Sequence, residues 1–126
     1  MVREYSSKDL ADLLLTVAAD KLAFEPVLID LAGRTSVADY FVICEGETDR
    51  QVRAIADAMV ESARAVGQRP LKVSGYQDAS WILIDFDAVL AHVFLPGERD
   101  YYDLESLWSA AARRRGEARD PLSDQP

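Results

Sequence analysis

Few residues in this chain could do chemistry. They are Asp85 and Asp87 in the run WILIDFDAVLAHVF, His92 in the same run, Cys44, and the aromatic stretch GERDYYDLESLW from Gly97 to Trp108. Two carboxylates at i and i+2 on a strand point to one face and could share a metal ion. Nucleotidyl transferases hold magnesium against a triphosphate in this way. Such an enzyme also needs a small Gly-Ser type loop to cradle phosphates. The nearest loop, CEGETDRQ, puts Glu47 where phosphate would approach, and an anion there repels it. Asp87 also has a plainer use, because Asp is common in hairpin turns. A metal-dependent nucleotidyl transferase using Asp85 and Asp87 is therefore the alternative reading and not the leading one.

His92 is the only histidine, and apolar residues flank it. A period of two puts Leu90, His92 and Phe94 on one strand face and Ala91, Val93 and Leu95 on the other. No Ser-His-Asp or Cys-His arrangement lies nearby, so the expectation is a hydrogen-bonded, half-buried strand histidine and not a base. Cys44, the only cysteine, closes an apolar strand. It lacks the partners of a zinc site, and Glu45 and Glu47 beside it oppose a thiolate. It reads as core. The sequence assigns no catalytic, cofactor-binding or metal-ligating residue. RRRG at 113–116 is the only basic cluster and reads as a solvated tail.

The aromatic stretch is less easily placed. On a helix Tyr101, Leu104 and Trp108 share one stripe, which Leu107 and Ala111 extend. Tyr102 falls about 100° from Tyr101 and cannot use the same contact. Tyrosine and tryptophan ringed by charge anchor protein interfaces, and they also dock terminal helices onto cores. Periodicity leaves both readings open here. Trp81 adds a further aromatic.

The elements that would position these residues can be read along the chain. SSKDLADLLLTVAADKLAF is an amphipathic helix with Leu10, Leu13, Leu14, Val17, Ala18 and Leu22 on one face, capped by Ser6 or Ser7. After Pro26, VLIDLAG and DYFVICEG read as strands, the second buried on both faces. TDRQVRAIADAMVESARAVG is a helix with Thr48 or Asp49 at its cap and Gly67 at its left-handed stop. PLKVSG, SWILIDF and AVLAHVFL are strands, the last two forming a hairpin. YYDLESLWSAA is a short final helix. This order predicts one α/β domain over 1–112 with a mixed five-stranded sheet flanked by helices, and a disordered tail over 113–126.

The totals limit the function classes. The chain has 126 residues and a net charge of −8. An acidic body is repelled by phosphate backbones, so no dedicated nucleic-acid site is expected, and a basic protein is the better electrostatic match. No apolar run approaches the ~20 residues of a membrane span. The first residues lack a secretory pattern, and a single cysteine excludes an internal disulfide, so a cytoplasmic protein is expected.

The run GYQDASWILIDFDAVLAHVFLPGERDYYDLESLW resembles the hallmark segment of the Iojap family, also called ribosomal silencing factor S. TSVADYFVICEGETDRQVRAIAD matches the same family in order and spacing. The resemblance implies a nucleotidyltransferase-like fold that is non-catalytic and uses no cofactor. It implies binding to the large ribosomal subunit at ribosomal protein fourteen, steric obstruction of small-subunit joining, and repression of translation when nutrients are scarce. Pairing as a homodimer in isolation is also implied. The positions that match the family near its partner surface are Trp81, His92, Arg99, Asp100, Tyr101, Tyr102, Leu104 and Trp108. One departure stands out: where the family has Gly and a polar residue at the hairpin turn, this chain has Asp87-Ala88, and neither accepts positive φ as readily as glycine.

Overall fold

The computed structural model describes residues 5–31 and 36–97. Within them two helices and five strands follow in the order α1 (Ser7–Asp20), β1 (Phe24–Asp30), β2 (Tyr40–Glu45), α2 (Asp49–Ala65), β3 (Lys72–Ser74), β4 (Trp81–Asp85) and β5 (Val89–Phe94). The sheet order is β1-β2-β5-β4-β3. β2 and β5 are parallel, and every other pair is antiparallel. The expected mixed five-stranded sheet is present. Helix α2 carries the chain from β2 across β5 and β4 to the far edge at β3.

Helix ends form where side chains satisfy backbone groups that lack helical partners. Ser6 caps α1 by accepting from the Asp9 amide, and Asp9 returns a bond to the Ser6 amide, which completes a capping box. Thr48 caps α2. At the far end Gly67 takes φ +80, with its amide on the Arg64 carbonyl and the Gln68 amide on that of Ala63. These two bonds are a Schellman stop.

Strand β1 begins earlier than the sequence suggests. It starts at Phe24, so Pro26 lies inside it and not before it. The pairing with β2 slips between Phe24 and Val27. A proline without an amide is tolerated there because β1 is an edge strand and the slip removes the need for a ladder bond.

The pleat divides the sheet into two unlike faces. One face, with Val42, Cys44, Ile82, Ile84, Ala91 and Val93, packs on both helices. The helices meet it and each other through small residues: Ala11, Ala18, Ala56 and Ala63 are all buried. The other face carries Leu31, Phe41, Ile43, Leu90 and Phe94, with Trp81 and Leu83 partly buried against them. No residue of α1 or α2 belongs to this second cluster. The final helix expected around Tyr101–Ala111, the 112/113 domain boundary and the basic tail lie outside the described residues.

Candidate functional site

The second sheet face brings together two of the eight positions matched to the family's partner surface. Trp81 opens β4 and stands opposite Phe94 of β5, while His92 stands opposite Leu83. All four therefore share one face. The Trp81 and Phe94 rings stack with centroids 5.1 Å apart, and His92 meets Phe41 of β2 edge-on at 4.6 Å. The Trp81 indole Nε1–H donates to His92 Nδ1 at 3.1 Å. Arg99, Asp100, Tyr101, Tyr102, Leu104 and Trp108 lie outside the described residues.

That hydrogen bond settles the imidazole tautomer. Nδ1 accepts, so in the neutral ring the proton sits on Nε2. His92 is fully buried, not half-buried as its sequence setting suggests. Burial disfavours the charged form and lowers its pKa to about 3. The ring is therefore neutral and only weakly basic near pH 7. Its Nε2–H finds no acceptor among the described residues. Trp81 is half-buried, and it carries the site to the surface.

The β3–β4 loop that delivers Trp81 is tied to α2. Arg53 donates from Nε to the Tyr76 carbonyl at 3.0 Å and from a terminal nitrogen to the Gln77 carbonyl at 2.6 Å. The Tyr76 hydroxyl donates to Asp57 at 3.0 Å, and this bond raises the pKa of the phenol. The Ala79 amide closes a turn onto the Gly75 carbonyl at 2.8 Å. Gly75 takes φ +78, and a Cβ on it would lie 2.2 Å from the Trp81 carbonyl oxygen. Only glycine lets the loop pass this close to the strand. Sequence reading missed Gly75, Phe41 and Phe94 as parts of this site. The face alternation that grouped Phe94 with His92 was the available signal.

The two carboxylates of the transferase reading have other occupations. Asp85 Oδ1 accepts the Asp87 amide at 2.7 Å. The Ala88 amide bonds to the Phe86 carbonyl at 3.1 Å across Asp87, which takes φ +78. This is a γ-turn, a strained way to close a hairpin without glycine. The family's glycine position is thus filled by an Asp that accepts left-handed backbone. No group of three His, Cys, Asp or Glu side chains within metal-holding reach occurs among the described residues.

A cleft does open beyond the C-terminal ends of parallel strands β2 and β5, where α/β proteins commonly bind ligands. Leu22, Phe24, Glu45, Gly46, Glu47, Gln51 and Pro96 line it. The N-terminus of α2 adjoins it, but its own side chains take up the local amides. Thr48 Oγ1 accepts from Gln51, Gln51 Oε1 accepts from Glu47, and Asp49 accepts from Arg50. A Cβ on Gly46 would meet the Val52 amide nitrogen at 2.8 Å, so loop and helix are already in close contact. With two glutamates at the rim, this arrangement is poorly suited to hold phosphate.

Comparison with known proteins places this geometry. Residues 4–125 match the model of a family described as ribosomal silencing factor during starvation. The ribosomal silencing factor RsfS of Bacillus subtilis is 39% identical over 106 residues, covering 84% of this chain and 90% of that protein. The protein of the same name from Zymomonas mobilis is 37% identical over 101 residues, covering 77% and 76% of the two chains. A crystal structure of a protein from Chromobacterium violaceum superposes with a TM-score of 0.79 at 28% identity, covering 85% of this chain and 88% of that one.

Proposed function

Because this chain belongs to the family of ribosomal silencing factors, we propose that it silences ribosomes by binding, as a plug on the large subunit. Its partner there is ribosomal protein fourteen on the intersubunit face, and its bulk obstructs joining of the small subunit. Translation falls as a result, and the family's description ties that effect to starvation. A mouse relative, 28% identical over 101 residues, bears the name mitochondrial assembly of ribosomal large subunit protein 1, which favours the large subunit as target. In this reading the protein is cytoplasmic, pairs with itself when off the ribosome, and uses a nucleotidyltransferase-like scaffold without catalysis.

The observation that carries the reading is the half-buried Trp81, held by His92 on an aromatic sheet face in a chain of net charge −8. Ribosomal proteins are basic and sit beside RNA. An acidic factor is drawn to the protein and repelled by the nucleic acid, so charge steers the approach while aromatic anchors supply affinity. No bond is made or broken, so silencing follows occupancy by mass action.

The test is co-sedimentation with purified large subunits, followed by addition of small subunits. The full chain at micromolar concentration should travel with the large subunit and reduce the joined peak. Trp81→Ala should weaken binding by about 2 kcal/mol, roughly 30-fold, if Trp81 is an anchor. Failure of the wild-type chain to co-sediment would sink the proposal.

A further inference from the structure

The aromatic sheet face is dry, yet no described element explains why. Leu31, Phe41, Ile43, Leu90, His92 and Phe94 are each at most 4% exposed. Both helices lie on the opposite face, and only the loop residues Val37 and Ala38 join this cluster from outside the strands. Something broader must exclude water here. We infer that the segment Tyr101–Ala111 of this same chain lies across the face, with Tyr101, Leu104 and Trp108 turned inward and Tyr102 turned outward to the partner.

Four observations select this occupant over a second copy or a ribosomal protein. The face is buried within a single chain. Its central strand, β5, carries Leu90, His92 and Phe94 and is the last strand before residue 98, so the following chain starts beside it. Pro96 and Gly97 form a turn with φ +92 at Gly97, which lets the chain change direction there. The length also fits: eleven helical residues span about 16 Å, close to the roughly 17–20 Å of a six-residue strand such as β5.

Chemistry points the same way. The stripe of Tyr101, Leu104 and Trp108, widened by Leu107 and Ala111, supplies the apolar surface that an aromatic face needs. His92 Nε2–H is a buried donor with no acceptor among the described residues, and buried donors are rarely left unmatched. A segment rich in hydroxyl and carboxylate oxygens can supply one. This divides the family-matched positions into two sets. Tyr101, Leu104 and Trp108 close the fold, and Tyr102, about 100° around a helix from Tyr101, remains for the partner. The Tyr102 assignment rests on the proposed function, and the docking does not.

The docking is tested without ribosomes. Nuclear Overhauser contacts are measured on the full chain between the Leu104 and Leu107 methyl groups and the rings of Phe41, His92 and Phe94. A mixture of labelled and unlabelled chains separates intrachain from interchain contacts. Intrachain contacts are expected, with a slowly exchanging His92 Nε2–H resonance. Absence of such contacts, or contacts appearing only between chains, would overturn the inference, the second outcome assigning the face to a second copy. Tyr102→Ala then addresses the outward half. It should keep the wild-type melting temperature while losing at least tenfold in co-sedimentation. Normal binding by that variant, given a wild-type chain that binds, refutes the assignment. A wild-type chain that fails to bind refutes the proposed function and, with it, the outward role of Tyr102, while the intrachain contacts still decide the docking.

Discussion

Acidification should destabilise this protein through one residue, and the size of the effect follows from the burial of His92. In the unfolded chain its imidazole has the ordinary pKa of 6.5, and in the fold burial lowers it to about 3. Between those values the unfolded state binds a proton that the native state refuses. The contribution to stability is therefore fully present above pH 6.5 and is lost progressively as pH falls toward 3. Each pH unit inside that window costs at most about 1.4 kcal/mol, so moving from pH 7.5 to pH 5.0 should remove about 2 kcal/mol. Carboxylates also begin to titrate near pH 5, so the comparison needs a control. In His92→Phe the ring is kept and the titration is lost, while any carboxylate contribution stays. Urea unfolding of both proteins at the two pH values gives the difference directly. Wild type should lose about 2 kcal/mol more than the variant over this interval. The imidazole Cε1–H chemical shift of the native wild type provides a second reading, and it should stay constant from pH 8 to pH 5. Parallel stability curves, or a native titration near pH 6.5, would refute the argument that this ring is sealed from water.

Further outcomes follow from neighbouring residues. Trp81→Phe keeps an aromatic ring against Phe94 but leaves His92 Nδ1 without its donor, and it should cost about 1–3 kcal/mol in a denaturant titration. Gly75→Ala forces a Cβ against the Trp81 carbonyl at a left-handed φ, so its melting temperature should drop by several degrees, and partner binding should weaken as Trp81 shifts. Asp87→Gly relieves the positive φ of the hairpin turn without touching the Asp85–Asp87 amide contact, and it should raise stability by up to about 1 kcal/mol in the same titration.

Much of the scaffold was legible because its signals are local. Ser6 and Thr48 lie just ahead of their helices, Gly67 just after α2, and the alternation along β5 separates Phe94 and His92 from Val93 without any tertiary knowledge. What stayed hidden depends on contacts distant in sequence. Pro26 reads as a boundary, yet it sits within β1 because an edge strand with a register slip does not need its amide. His92 reads as half-buried because no local pattern reports how completely a face is covered. Gly75 looks like any loop glycine until the Trp81 backbone is seen beside it. The Trp81–His92 bond links positions eleven apart on adjacent strands, and only the register of β4 on β5 creates it.

That bond also constrains how Trp81 can act on a partner. Indole has one polar hydrogen, and here it points inward to His92. What the half-buried ring turns outward is therefore carbon, which can offer apolar contact or a π face to a cation but cannot donate a hydrogen bond. A basic protein suits such a ring, because a Lys or Arg stem can pack on it while the charged head stays wet. The two sources of recognition should then separate kinetically. The charge of −8 acts over a Debye length, so raising salt should slow association with the large subunit. The packed ring acts only at contact, so Trp81→Ala should mainly speed dissociation. Salt that shortens the complex lifetime as strongly as the mutation does would mean that exposed ion pairs hold the complex, and that the aromatic face serves the fold alone.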